Sequence, residues 1–117
     1  MIFSDTMYWV ETVVCSGLVG KDARLMRMLE LRQEFKRRQE GCVTAWVGRN
    51  PDQKELFLVH SVFASEEAWR EISQKALDHL DSKDGGIESL LAGPPLVGVF
   101  EAKPEHFTNI SDDHNVA

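Results

Sequence analysis

The chain has 117 residues, of which 43% are hydrophobic and 27% charged, the size and make-up of one ordinary globular domain. Two cysteines cannot build a disulfide framework. A formal net charge of −6 speaks against duplex nucleic acid, whose phosphates need a basic surface.

The opening residues lack the basic start of a secretory signal. No apolar run approaches the ~20 residues of a membrane span; the longest, Leu90–Phe100, is broken by Gly93, Pro94, Pro95 and Gly98. The expectation is a cytoplasmic domain with neither a nucleic-acid nor a membrane partner. Lys21–Glu40 holds seven basic and four acidic residues, and this local excess reads as a solvated helix face or as a seat for an anion.

Met7–Cys15 is β-branched and aromatic and reads as the first strand. Alternation puts Tyr8, Val10, Thr12 and Val14 on one face and Trp9, Glu11, Val13 and Cys15 on the other. Asp22 is placed to cap a helix over Ala23–Gln39, with an apolar stripe of Leu25, Met28, Leu29, Leu31 and Phe35 and Gly41 as its stop. Cys42–Arg49 and Leu56–Phe63 form a hairpin across the Asn50-Pro51-Asp52 turn. On the second of these strands Phe57, Val59, Ser61 and Phe63 share a face opposite Leu56, Leu58, His60 and Val62.

Ser65 caps a second helix running to about Leu80, with Trp69, Ile72, Ala76 and Leu80 as its stripe. Polar residues from Asp81 to Gly86 end it. Ile87–Leu91 is a short helical turn, and Gly93-Pro94-Pro95 leads into a last strand, Leu96–Ala102. The order β-α-β-β-α-β predicts an α+β, ferredoxin-like domain over residues 1–102, with four antiparallel strands and both helices on one face. Residues 103–117 are expected to form a loose tail.

Two helices cover one face of such a sheet, yet both strand faces are apolar. Leaving large side chains wet costs about 1.5–3 kcal/mol each, and a patch of that kind marks an interface. A homodimer joined through the open sheet face is therefore expected.

HExxH, CxxC, P-loop and GxGxxG patterns are absent, so no metal or nucleotide cofactor has its usual carrier. Cys15 and Cys42 lack metal-ligand spacing and read as buried hydrophobes. His60 has the ordinary pKa of a general base for a phenolic or ring proton, although its parity opposite Phe63 favours a hydrogen-bonded histidine at the dimer interface. His79 either reaches a cleft mouth or sits favourably near the helix C-terminus. Trp9, Trp46 and Trp69 suit core packing or stacking on a flat ligand. Glu11 needs a partner if buried, for which Arg32 and Arg49 are the candidates, and it is otherwise a carboxylate base.

Glu40-Gly41-Cys42-Val43 at the end of the first helix, Ser65-Glu66-Glu67-Ala68 at the start of the second, Gly93-Pro94-Pro95 before the last strand and Gly20-Lys21 before the first helix together resemble the antibiotic biosynthesis monooxygenase family over about residues 7–102. The resemblance implies a dimeric α+β barrel. It implies a cofactor-independent monooxygenase acting on a small electron-rich aromatic of phenol or hydroquinone type, or a non-catalytic binding or regulatory module of the same fold. It places an apolar or aromatic ligand between sheet and helices, against Phe57, Val59, Ser61 and Phe63, with Thr12 and Trp69 nearby. The family often has Trp where this chain has Phe63, and His where it has Ile72. Its heme-degrading branch uses an asparagine on the first strand, which this strand lacks.

Overall fold

Strands and helices alternate as expected in the computed structural model, which describes residues 6–108. Strand β1 (Tyr8–Ser16) leads into helix α1 (Asp22–Arg37). The hairpin of β2 (Cys42–Arg49) and β3 (Leu56–Phe63) follows, then helix α2 (Glu66–Ala76), and β4 (Leu96–Ala102) closes the sheet. The four strands lie in the order β2-β3-β1-β4, and every neighbouring pair is antiparallel. This is the ferredoxin-like arrangement. None of the helices among the described residues is long and apolar enough to cross a membrane.

Register decides which residues meet. Trp9, Glu11 and Val13 of β1 stand opposite Phe63, Ser61 and Val59 of β3, on the side that carries the helices. Thr12 stands opposite His60, on the outer side. On the helix side, Cys15, Phe57 and Val59 pack with Leu25, Met28 and Leu29 of α1 and with Leu90 into one core. A bulge between Cys42 and Thr44 shifts the start of β2 by one residue, which brings Ala45 opposite Ser61 and under the helices, where it is buried.

Helix α1 departs from expectation at two points. Asp22 is its first residue rather than its cap, and no side chain caps this helix; the Asp22 carboxylate instead pairs with Arg49 at 3.5 Å. The buried stripe is Leu25, Met28, Leu29 and Gln33, while Leu31 is 51% exposed. Leu31 lies three residues after Met28, but the helix tilts so that Arg32, Gln33 and Lys36, not Leu31, turn toward the sheet.

At α2 the Ser65 hydroxyl accepts from Ala68 N at 3.1 Å, the expected N-cap. The helix does not stop at Leu80. It passes through a π-helical turn, Leu77–Asp81, into a short segment α3 (Ser82–Asp84). Gly85 and Gly86 then adopt φ of +83°, a left-handed geometry that ends helices and that other residues resist. Gly41 also takes positive φ, +104°; a Cβ there would lie 3.0 Å from Ala68 Cβ, so the residue lets β2 start close beneath α2. The expected turn at Ile87–Leu91 is a 3-10 turn over Glu88–Leu90.

The helix layer stops short of β4. Val97 and Val99 on the helix side, and Leu96 and Phe100 on the outer side, are all exposed. Beyond β4 the chain forms a further helical segment, α4 (Glu105–Thr108), and the Phe107 ring lies 5.6 Å from that of Tyr8. The rest of the tail, residues 109–117, lies outside the described residues.

Candidate functional site

The uncovered strip beside β4 opens into the space between the helices and β1. Two adjoining cavities lie there, of 240 Å³ and 140 Å³, with Arg32 and Lys36 of α1 in the wall of both. Glu11, Ser73 and Asp81 complete the polar lining of the larger. The smaller is mostly apolar, lined by Val13, Val59, Leu29 and Ile87 together with Gln33.

These polar side chains form three groups. Arg32 is a clasp: its guanidinium donates to Asp81 at 2.5 Å and to both carboxylate oxygens of Asp84 at 2.9 Å, tying α1 to the extended end of α2. The Arg32 hydrogen bonds hold the Asp84 carboxyl at about 2, against an ordinary 3.8. With its charge satisfied there, Arg32 is not the partner of Glu11. Arg49 is not that partner either, because it bonds Asp22 and lies over the Phe57 ring at 5.4 Å. Glu11 instead accepts from the indole N–H of Trp69 at 3.3 Å.

Gln33 and Lys36 meet at Ser61. Gln33 Nε2 donates to Ser61 Oγ at 2.9 Å and to the His60 carbonyl at 3.0 Å. Because that carbonyl can only accept, the amide nitrogen must face it, and the orientation of the Gln33 amide is fixed. Its oxygen, Oε1, is buried with no partner among the described residues. Lys36 Nζ approaches Ser61 Oγ at 3.5 Å, and no carboxylate among the described residues lies within ion-pair distance of it. Burial pushes the Lys36 ammonium below its ordinary pKa, while the charge of Glu11 pulls it back up.

Ser73 Oγ, on a residue of the larger cavity's wall, and Trp9 Nε1, whose ring lies 6.0 Å from that of Trp69, are likewise buried without partners among the described residues. Buried polar groups are rarely left so. Gln33 and Ser73, in the walls of the two cavities that share Lys36, give a region that can hydrogen-bond a guest.

The residues expected around the ligand are not all brought together. Val59 lines the smaller cavity, Ser61 lies behind it in the Gln33–Lys36 network, and Trp69 reaches Glu11 at the larger one. Phe57 and Phe63 are on the helix side but fully buried, so they support the floor. Thr12 is on the opposite face: its hydroxyl bonds His60 Nδ1 at 3.1 Å. The expectation that Thr12 joins Phe57 and Ser61 fails because antiparallel pairing sets Thr12 against His60.

Neither histidine enters the cleft. His60 lies on the outer face against the Trp46 ring, 4.9 Å away, and burial lowers its pKa. His79 stacks on Phe35 at 5.2 Å, in a surface groove with Lys75 and Asp78. Burial raises the pKa of both Cys15 and Cys42, so both are thiols rather than thiolate nucleophiles at neutral pH. No cluster of His, Cys, Asp or Glu suited to a metal ion occurs among the described residues.

Sequence reasoning identified Arg32 only as a partner for Glu11 and took Lys36 for part of the basic helix end; Gln33 and Ser73 were missed. The available signal was spacing. Gln33 follows Leu25 and Leu29 by eight and four residues, so a polar amide continues the apolar stripe.

Residues 20–77 match the sequence profile of the antibiotic biosynthesis monooxygenase family. No curated protein sequence matches the chain. Among solved structures, the fold is similar to that of a Nitrosomonas europaea protein provisionally named an antibiotic biosynthesis monooxygenase, with 11% identity, a TM-score of 0.73 and coverage of 86% of this chain and 95% of the other. A conserved protein of Methanosarcina mazei has 14% identity and a TM-score of 0.73, over 88% of this chain and all of its own. SnoaB of Streptomyces nogalater, a cofactor-independent oxygenase, has 18% identity and a TM-score of 0.67, over 81% of this chain and 92% of its own. At these identities the structures attest the fold alone, and the matched profile supplies the lineage: residues 20–77 carry the domain of the antibiotic biosynthesis monooxygenase family.

Proposed function

We propose that the protein is a monooxygenase that oxidises a small phenolic or hydroquinone-type aromatic in the cleft between its helices and β1, without a bound cofactor. The observation that carries this reading is that Glu11 and Lys36 stand in the wall of the same cavity. A carboxylate there can take the phenolic proton. The neighbouring half-buried ammonium holds the phenolate, and the attraction is stronger there than in open water.

The phenolate passes one electron to O2, and the resulting superoxide and phenoxyl radical join at an ortho or para ring carbon that bears hydrogen. Protonated Glu11 returns its proton to the peroxide. Loss of water, formed from the terminal hydroxyl and the ring hydrogen, leaves a quinone carbonyl. One oxygen atom of O2 ends in the product and the other in water, so phenol and O2 give quinone and water in balance.

His60 and His79, the bases first considered, lie outside this cleft and have no role in that sequence. The outer face carries exposed Trp46, Val14, Leu96 and Phe100, and a second copy of the chain is its proposed cover. That arrangement would bury these side chains sheet against sheet.

The test is oxygen uptake with a panel of hydroquinones, naphthols and anthrones, with product analysis under 18O2. Turnover that places one labelled atom in the product supports the reading. Measurable binding of the same compounds with no uptake would leave the fold as a non-catalytic binding module.

A further inference from the structure

The Gln33–Ser61–Lys36 network makes a demand that no group among the described residues meets. Gln33 is fully buried. Its Nε2 is committed to Ser61 Oγ and the His60 carbonyl, which turns Oε1 away with no donor in reach among the described residues. Beside it, Lys36 offers N–H donors and a positive charge with no carboxylate within ion-pair distance among the described residues. Both side chains wall the same apolar 140 Å³ cavity. A guest that completes this edge must donate one hydrogen bond and, right next to that donor, present an oxygen that is anionic or readily ionised. Each cavity is smaller than the ~300–1,000 Å³ usual for drug-sized ligands, so the guest has one or two rings.

We infer that the cleft selects aromatics with two adjacent hydroxyls, bound as the monoanion. Lys36 holds the ionised oxygen, and Gln33 Oε1 accepts from the neighbouring hydroxyl. Val13, Val59 and Leu29 enclose the ring. A single phenol satisfies Lys36 but leaves Gln33 Oε1 without its donor, and a site built to bond a hydroxyl rejects the analogue that lacks it. A methoxy group at that position is worse, since it sets an acceptor against an acceptor. This assignment rests on the cleft being the substrate site, as proposed above, and it adds the reading of the second hydroxyl.

The experiment is anaerobic titration calorimetry of the whole protein with 2,3-dihydroxynaphthalene, 2-naphthol and 3-methoxy-2-naphthol, together with the ultraviolet absorbance of the bound ligand as a function of pH. With oxygen absent, no turnover is needed. The diol is expected to bind at least about tenfold more tightly than 2-naphthol, and the methoxy compound more weakly than either. The naphtholate band of the bound diol should appear at lower pH than that of the free diol. Gln33→Met should erase the preference for the diol over 2-naphthol. Lys36→Met should abolish the early appearance of the naphtholate band.

Equal affinities for diol and naphthol in the unaltered protein would overturn the assignment, and that comparison needs no variant to fold. The two readings also fail separately. Diol selectivity with no oxygen uptake refutes only the oxygenase reading, whereas uptake with no diol selectivity refutes only the role of Gln33.

Discussion

Replacing Arg32 by Met tests the clasp that closes the cleft at its α2 end. The substitution keeps most of the aliphatic stem and removes both ion pairs, to Asp81 and Asp84, as well as a bond to the Met28 carbonyl. The Asp84 carboxyl lies at about 2 because of the Arg32 hydrogen bonds, yet its side chain keeps about a quarter of its surface in water, 24%. With solvent screening allowed for, that pair contributes about 1 kcal/mol, toward the upper end of exposed ion pairs. The Asp81 pair adds less than about 1 kcal/mol on the same grounds.

Urea unfolding at pH 6.5 should therefore show Arg32→Met destabilised by about 1–2 kcal/mol. The pH dependence carries a definite sign. A carboxyl held below its unfolded value stabilises the fold fully above about pH 4, and that contribution fades as pH falls toward 2. By pH 3 about half of the Asp84 share is gone, so the gap between the two proteins should narrow. Amide exchange over residues 77–86 should rise in the variant at neutral pH. A gap that is the same at pH 6.5 and pH 3, with unchanged exchange in this segment, would refute the clasp.

Further outcomes follow from the core and the outer face. Leu25→Ala, at a fully buried position, should cost about 2–5 kcal/mol in chemical unfolding. Ser65→Ala removes the cap bond to Ala68 N and should cost about 1 kcal/mol in the same assay. His60 has a lowered pKa from burial, so the unfolded chain binds its proton more readily; stability should decline as pH falls below about 6.5, with the NMR midpoint of the His60 ring below that value. Trp46→Arg places a charge on the outer face and should turn a sedimenting dimer into a monomer; a wild-type chain that is already monomeric at micromolar concentration would remove the basis for that interface.

Strand content and element order were legible because alternation and turn chemistry are local. Cys42–Arg49, Leu56–Phe63 and Leu96–Ala102 are strands over those same bounds, each fenced by glycine, proline or polar turns. The Ser65 cap was legible for the same reason. Thr12 shows where local information stops. Its face on β1 follows from alternation, but whether that face meets Ser61 or His60 depends on the register between two strands, with Thr12 and His60 48 residues apart, and only the pairing supplies it.

Leu31 and Gln33 show a second limit. Hydropathy assigns the leucine to the core and the amide to water, yet helix orientation reverses them, because Gln33 finds the Ser61 hydroxyl and the His60 carbonyl as partners. The cleft was located by resemblance. Its polar lining was hidden because Lys36 lies in a basic run that composition alone reads as solvated.

The central claim is that chemistry takes place at Glu11 and Lys36 inside the cleft and not at the histidines outside it. Oxygen-electrode rates on the best aromatic of the panel, compared for the wild type, Lys36→Met, Glu11→Gln, His60→Gln and His79→Gln, test it most directly. The first two substitutions should each lower kcat by about 100-fold or more, while His60→Gln and His79→Gln should leave it within about threefold. Full activity in Lys36→Met and Glu11→Gln, with loss in His60→Gln, would contradict the account and move the reaction to the outer face of the sheet.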